Sequence, residues 1–240
     1  VIYLRSALFN VVFYVNLVLF LVLGSGFFFT PRKWSIRALQ AWARTSLFWL
    51  RVIAGTKIEV RGLDKIPEGS CIVAGKHQSF WETFAILPYL DDPAVVLKKE
   101  LTYIPFFGWF AHKFRMIPVE RSAGTQALRA LIERAEEAIS AGRQVVIMPE
   151  GTRRAPDDPP DYKPGAAAMY GRLSVPCVPF ALNSGLFWPR RQFLRRPGTI
   201  VISFLEPIPP GLPRRAFQSR LENAVETETA ILVKEGREQA

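Results

Sequence analysis

The stretch Cys71-Ile72-Val73-Ala74-Gly75-Lys76-His77-Gln78-Ser79-Phe80-Trp81-Glu82 sets the frame for the rest of the chain. Cys71 to Ala74 is an apolar run of the kind that forms a short buried strand, and Gly75 breaks it. His77, one of only two histidines, then falls on a strand-to-helix turn, with a helix expected to begin near Ser79. A carboxylate follows five residues later. On one continuous helix that spacing sets the two side chains about 140° apart. With His77 on the turn and Glu82 in the first helical turn, the carboxylate can fold back to the imidazole. A carboxylate that holds one ring nitrogen fixes the tautomer and leaves the other free as a general base. A second reading stays open: Ser79-Phe80-Trp81-Glu82 is also a capping box, in which Ser79 caps the helix and Glu82 returns to its first amide.

Strand and helix patterns alternate through the rest of the chain. Short apolar runs predict strands at 57–60, 94–98, 116–119, 144–148, 177–182 and 199–205. Helical patterns predict 83–90 as a continuation of the helix begun at Ser79, a mostly helical aromatic segment at 100–114, and helices at 165–173 and 214–234. Residues 124–141 carry Leu128, Leu131, Ile132, Ala135, Ala138 and Ile139 at helical spacing, with Gly142 as the stop. This order predicts an α/β fold with a largely parallel central sheet flanked by helices.

The first 29 residues carry one charge, Arg5, and 11–23 is apolar apart from Asn16. That is long enough to enter or cross a bilayer. A cleaved signal peptide is the competing reading, but Phe27-Phe28-Phe29 after Gly24-Ser25-Gly26 is an odd mature start, so an uncleaved segment is expected. Arg32, Lys33, Arg37 and Arg44 follow, as on the cytoplasmic flank of a membrane segment. Residues 36–53 form a second helical pattern, with Leu39, Trp42, Ala43, Leu47, Leu50 and Ile53 along one side. Trp34, Trp42 and Trp49 between arginines suit a helix in the headgroup region; an ordinary amphipathic helix packed on the domain is the alternative. The expectation is an N-terminal two-helix membrane anchor over 1–55 and an α/β domain over 56–240, on the cytoplasmic side of the inner membrane.

Composition agrees. The 240 residues are 49% hydrophobic with a formal net charge of +10 and a pI near 9.9, which points to anionic partners. Nucleic acid is disfavoured, because no recognisable nucleic-acid motif is present and the apolar N-terminus argues against it. Cys71 and Cys177 sit in apolar runs as buried, reduced thiols. No clustered Cys/His spacing exists for zinc, and no metal site is expected.

In α/β sheets, sites gather where strands end. One strand ends in Val119-Glu120-Arg121, another in Pro149-Glu150-Gly151-Thr152-Arg153-Arg154. Glycine lets backbone amides approach an anion, threonine adds a hydroxyl, and arginine adds a planar fork for phosphate. The alternatives are a solvated turn for 149–154 and a surface charge for Arg121. Lys98 and Lys99 are equally open to a surface reading. Phe106, Phe107 and Trp109 fit either core or the wall of an acyl groove. His112 has no carboxylate partner at useful spacing.

Four of these blocks resemble the glycerolipid acyltransferase family. His77 to Glu82 is similar to its H-x4-D/E motif, and Ile117-Pro118-Val119-Glu120-Arg121 to the strand that ends in Asp-Arg or Glu-Arg. Pro149 to Arg153 is similar to the P-E-G-T-R block, and Val175-Pro176-Cys177-Val178-Pro179 to V-P-x-x-P. All four stand in the family's order, nearest to its bacterial members that make phosphatidic acid. The resemblance implies that His77 deprotonates the 2-hydroxyl of lysophosphatidic acid while Glu82 orients and charge-balances it. The alkoxide-like oxygen then attacks an acyl thioester directly, without an acyl-enzyme. Arg121, Glu150, Gly151, Thr152 and Arg153 would hold the glycerol phosphate, and Val175, Pro176 and Pro179 would shape the acyl pocket, a buried strand being the alternative. The implied partners are lysophosphatidic acid, anionic membrane lipids, and acyl-CoA or acyl-acyl carrier protein as co-substrate, with no cofactor. Glu82 departs from the family's usual Asp by one methylene. Two rival expectations are a different lysophospholipid or lyso-aminolipid acceptor, and a catalytically silent basic membrane-binding module.

Overall fold

The computed structural model describes residues 1–120 and 123–238. In chain order the elements are α1 (Ile2–Leu23), a 3-10 turn (Gly24–Phe29), α2 (Arg32–Trp49), a π turn (Leu50–Ala54), β1 (Thr56–Arg61), β2 (Cys71–Gly75) and α3 (Glu82–Ala85). Then come β3 (Pro93–Lys98), α4 (Phe107–Lys113), β4 (Ile117–Val119), α5 (Gly124–Ser140), β5 (Gln144–Ile147), α6 (Gly165–Leu173), β6 (Cys177–Leu182), α7 (Ser184–Phe187), β7 (Gly198–Phe204) and α8 (Arg214–Glu238). The seven strands form one sheet in the order β1-β7-β6-β2-β5-β3-β4. Every neighbouring pair is parallel except β6 with β7.

The central strands are hydrophobic without a break because both faces of the sheet are covered. Side chains alternate between the faces. Cys71, Val73, Val146, Val178 and Phe180 join one core with α1, α2 and α3. Ile72, Ala74, Val145, Ile147 and Cys177 join a second core with α5, α6 and α8. The result is three layers, with β2, β5 and β6 side by side at the centre. Both cysteines are free thiols with no exposed surface.

Two predicted helices are shorter than their patterns. The 79–90 segment gives only α3 and a 3-10 turn at Leu87–Tyr89, because the backbone amides of Gln78 and Ser79 turn back onto the Glu82 side chain. The 100–114 segment is a 3-10 turn (Lys99–Tyr103) followed by α4. Pro105 interrupts it, and Phe106 takes a left-handed φ of 61°. The polar 214–234 pattern hides a buried stripe of Phe217, Leu221, Val225, Thr229 and Leu232 on α8. Spacing of three and four residues presents that stripe to the sheet.

The N-terminal helices share the first core instead of standing apart from it. α1 packs Phe9 and Phe13 into that core, with Leu17 and Phe20 against it. Its polar residues also face the protein. Arg5 Nε donates to the Ile53 carbonyl at 2.6 Å, Ser6 Oγ accepts from the Arg195 amide at 2.9 Å, and Asn16 Nδ2 donates to Ser46 Oγ at 2.9 Å. Leu4, Leu8, Val11, Val15, Leu19 and Val22 are left exposed. α2 buries Ile36, Leu39, Trp42, Ala43 and Leu47, as the packed amphipathic alternative required. Its start is pinned to the sheet by Arg32, whose guanidinium bridges both oxygens of Asp92 at 2.5 Å, while Arg143 donates to the same carboxylate at 3.1 Å. By length and composition, one helix among the described residues, Ile2–Phe29, is apolar enough to cross a membrane.

Gly75 is fixed by the close approach of β2 and β6. A Cβ there would lie 2.0 Å from the Phe180 carbonyl oxygen and 2.6 Å from its ring. Gly75→Ala is therefore expected to cost about 1–3 kcal/mol by overpacking, read as a lower urea midpoint at unchanged slope. An unchanged midpoint would show that the two strands can part freely.

Candidate functional site

The carboxyl ends of β2, β5 and β6 converge on His77. Glu82 is the centre of that convergence, with no exposed surface. Its Oε1 accepts from the amides of Gln78 at 2.7 Å and Ser79 at 2.6 Å and lies 2.9 Å from His77 Nδ1. Its Oε2 accepts from Ser184 Oγ at 2.8 Å. Ser79 Oγ meanwhile accepts from the Trp81 amide at 3.1 Å. The carboxylate thus serves the Ser79 amide and the His77 ring together, while α3 itself begins only at Glu82, with Trp81 as its N-cap and no side-chain cap bond. The extra methylene of Glu, relative to Asp, is taken up by the turn without loss of reach. An ionised carboxylate only accepts, so the proton on a neutral His77 sits on Nδ1 and Nε2 carries the lone pair. No described residue bonds Nε2. The His77 side chain is 14% exposed, so the arrangement leaves a tethered, partly exposed nitrogen able to take and return a proton.

The backbone of His77 is gripped by the loop after β5. The Arg154 amide donates to the His77 carbonyl at 2.8 Å, and the His77 amide donates to Glu150 Oε2 at 3.4 Å. Gly151 makes this loop possible, turning at φ 63° with its amide on the Met148 carbonyl at 2.9 Å. Beneath lies Lys76, 1% exposed, whose Nζ reaches Glu150 Oε1 at 3.1 Å and Glu226 Oε1 at 2.9 Å. Tyr162 also donates to Glu226 Oε1, at 2.9 Å. Burial pushes the Glu150 carboxyl above its ordinary range, and Lys76 works against that rise.

The Glu150 side chain is fully buried, held by a cation and an amide of the chain. Thr152 and Arg153 are half-buried on the same loop. Arg153 has a guanidinium held below its ordinary range by burial and by repulsion from Arg190 and Arg191, with Glu82 opposing. Arg121 lies outside the described residues. Lys98 and Lys99 form exposed ion pairs with Glu100 and Glu120, and His112 is exposed on α4.

Of the V-P-x-x-P block, Cys177 to Pro179 lie in buried β6, and Val175 and Pro176 are half-buried just before it. Pro176 accepts from the Ile72 amide at 3.0 Å, at the amino end of β2, so Val175 and Pro176 lie at the end of the sheet away from His77. Pro179, in register with Ala74, is buried within β6. Phe106 and Trp109 pair with each other at 4.9 Å, and Trp109 is 55% exposed; with half-buried Phe107 they form an outer aromatic edge, not an enclosed pocket. A different aromatic group adjoins the motif. Phe80 lies 6.1 Å from Phe13, 5.8 Å from Phe84 and 6.3 Å from Trp188, centroid to centroid. Sequence reasoning missed Ser184 and this α1-built wall, since the sequence separation between Glu82 and Ser184 is 102 residues. Only the position of Ser184, just past a predicted strand end, was a signal.

The Acyltransferase family model matches residues 57–183. A 1-acyl-sn-glycerol-3-phosphate acyltransferase of Pseudomonas aeruginosa is 38% identical over 164 residues, 68% of this chain and 64% of its own length. One from Saccharomyces cerevisiae is 27% identical over 178 residues, 71% of this chain and 58% of its own. The chain thus spans less than two thirds of the length of these relatives. Among solved structures, the 1-acyl-sn-glycerophosphate (LPA) acyltransferase PlsC from Thermotoga maritima shares the fold, with a TM-score of 0.82 at 23% identity over 97% of this chain and 98% of that one.

Lys76→Met would leave Glu150 and Glu226 facing each other without their cation. The expected cost is about 3–5 kcal/mol near neutral pH, as for one partner removed from a buried pair. A carboxyl whose folded pKa is raised loses stability as pH rises through that value, so the deficit should shrink on acidification, as Glu150 takes a proton. Thermal unfolding across pH checks both; a deficit independent of pH would exclude the carboxyls as its source.

Proposed function

The chain belongs to the Acyltransferase family, and from that premise we propose that it moves a fatty acyl group from an acyl thioester to the 2-hydroxyl of 1-acyl-glycerol-3-phosphate, giving phosphatidic acid. The observation that carries this reading is the tethered imidazole: Nδ1 on Glu82, Nε2 free, at the junction of three strand ends. His77 Nε2 takes the hydroxyl proton as that oxygen attacks the thioester carbonyl. The tetrahedral species then collapses, the C–S bond breaks, and the departing sulfur receives the proton from His77. No protein acyl ester forms. Glu82 balances the transient imidazolium. Arg153, with Thr152, Gly151 and, by its place in the motif, Arg121, holds the acceptor phosphate. Either acyl-CoA or acyl-acyl carrier protein supplies the thioester.

The N-terminal helix supports a membrane setting by its inverted pattern. A helix on a soluble domain turns apolar residues inward and polar ones outward; α1 turns Arg5, Ser6 and Asn16 inward and leaves an apolar stripe outside. One side of α1 is occupied by the domain, so only the other is free for lipid, which fits a helix lying within one leaflet. α4 packs Phe110 on Phe20 and Phe28 and leaves Trp109 exposed. The aromatic wall of Phe13, Phe80, Phe84 and Trp188 leads from α1 to the motif and is the route we assign to an acyl chain. The basic residues after the apolar segment support a reading with the domain at the cytoplasmic face of the inner membrane.

Thiol release from palmitoyl-CoA or palmitoyl-acyl carrier protein, with and without lysophosphatidate, tests the reaction. Acceptor-dependent release should fall at least 1,000-fold in His77→Ala; release that survives the substitution would remove the imidazole from the mechanism. No release with either donor, beside firm binding to anionic vesicles, would leave a silent membrane module. Ser184→Ala should lower kcat about tenfold at unchanged KM for the acceptor, and Ser184→Thr should restore it. A matching loss in the Thr variant would mean that packing at this position matters and the hydroxyl does not.

A further inference from the structure

The far side of the motif from the aromatic wall opens into a cavity of about 590 Å³. Gln78 and Gly185 form its inner wall, and Arg153, Arg190, Arg196 and Arg237 stand around it, with Asp157 and Asp158 at one side. The acidic pair is engaged: Asp157 bridges Arg237 at 2.6 Å, and Asp158 accepts from the Ala155 amide at 2.8 Å. Among the described residues, Arg153, Arg190 and Arg196 form no salt bridge, and Glu82 acts on Arg153 only from a distance. Arg190 donates instead to the Arg153 carbonyl at 2.6 Å, and so the two guanidiniums share one locality. Gln78 has no exposed surface; its Oε1 accepts from the Gly185 amide at 3.0 Å, and its Nε2 has no partner. Buried donors without acceptors and like charges without counterions both call for an anion rich in oxygen.

The loop that carries these arginines is built to be rigid. Arg195 is buried, stacks its guanidinium 4.2 Å above Trp188 and donates to the carbonyls of Gln192, Phe193 and Leu194 at 2.8–3.2 Å. Ser6 of α1 bonds both the amide and the carbonyl of Arg195. The backbone that carries Arg190 and Arg196 is thereby held in place before any ligand arrives, which lowers the ordering cost of binding.

We propose that this cavity takes the nucleotide end of the acyl donor, the diphosphate and sugar phosphate of coenzyme A, with Arg190 and Arg196 as its phosphate contacts. The proposal rests on the acyl-thioester reading given above. A glycerophosphate head carries one phosphate and fills a small part of the space, whereas cavities of this size suit a ligand as large as a nucleotide. The convex acidic surface of a carrier protein does not enter a concavity. The cavity begins at Gln78, next to His77, so an extended arm from it delivers its thioester to the imidazole.

Isothermal titration of the full chain in detergent with coenzyme A itself, which carries no acyl group, tests this without turnover. The parent should bind, and Arg190→Ala/Arg196→Ala should bind at least tenfold more weakly. Pantetheine, which lacks phosphate, should not compete. Arg196→Gln alone, at a side chain with no described contact, carries the same test if the double variant unfolds. No binding by the parent, equal binding by the variants, or displacement of coenzyme A by glycerol 3-phosphate at matching concentrations would each overturn the assignment; the last would give the cavity to the acceptor. Absence of acyl transfer beside intact coenzyme A binding would instead sink the acyltransfer reading.

Discussion

One buried carboxylate organises this protein. Glu82 accepts two backbone amides, a ring nitrogen and a hydroxyl in a place closed to water. Each of those donors comes from a segment that must be in position for the carboxylate to be tolerated there, because a buried charge without hydrogen bonds is costly. The turn after β2, the start of α3 and the end of β6 are therefore fixed together. The same requirement delays α3, because the amides of Gln78 and Ser79 just before it are spent on a side chain.

Beneath it a second buried set performs the same task for the neighbouring loop. Lys76 is one residue from His77, and its ammonium ties Glu150 of the β5 loop to Glu226 of α8. The family's two best-known blocks thus meet through a cation that belongs to neither, and the C-terminal helix closes the group. The ion pair gives register to the loop that positions Arg153; the exposed face of that loop is then free for a ligand.

The membrane-facing side follows from what α1 does with its polar residues. By bonding Arg5, Ser6 and Asn16 to the domain, the helix becomes part of the first core and presents hydrocarbon outward. Its aromatic inner face then supplies Phe13 to the wall beside Phe80. The apolar N-terminal helix and the wall of the site thus share one element, and the outward hydrocarbon and the imidazole are tied through the same packing.

The sequence by itself determined the strand order of appearance, the α/β class, the turn carrying His77 and its carboxylate, and the apolar N-terminal segment. These are local features: period-two and period-3.6 patterns, a glycine at a strand end, a capping spacing. Tertiary structure decided what those features touch. Glu150 faces inward because Lys76 is buried behind it; Val175 and Pro176 fall at the end of the sheet away from His77 because β6, parallel to β2, runs toward the site from there. Ser184 and the wall built by α1 come from residues far off in sequence, and no local pattern encodes such a contact. The Cys177 strand and the Ser184 turn reach Glu82 only because β6 lies beside β2, a neighbour relation that the order of strands in the chain leaves open.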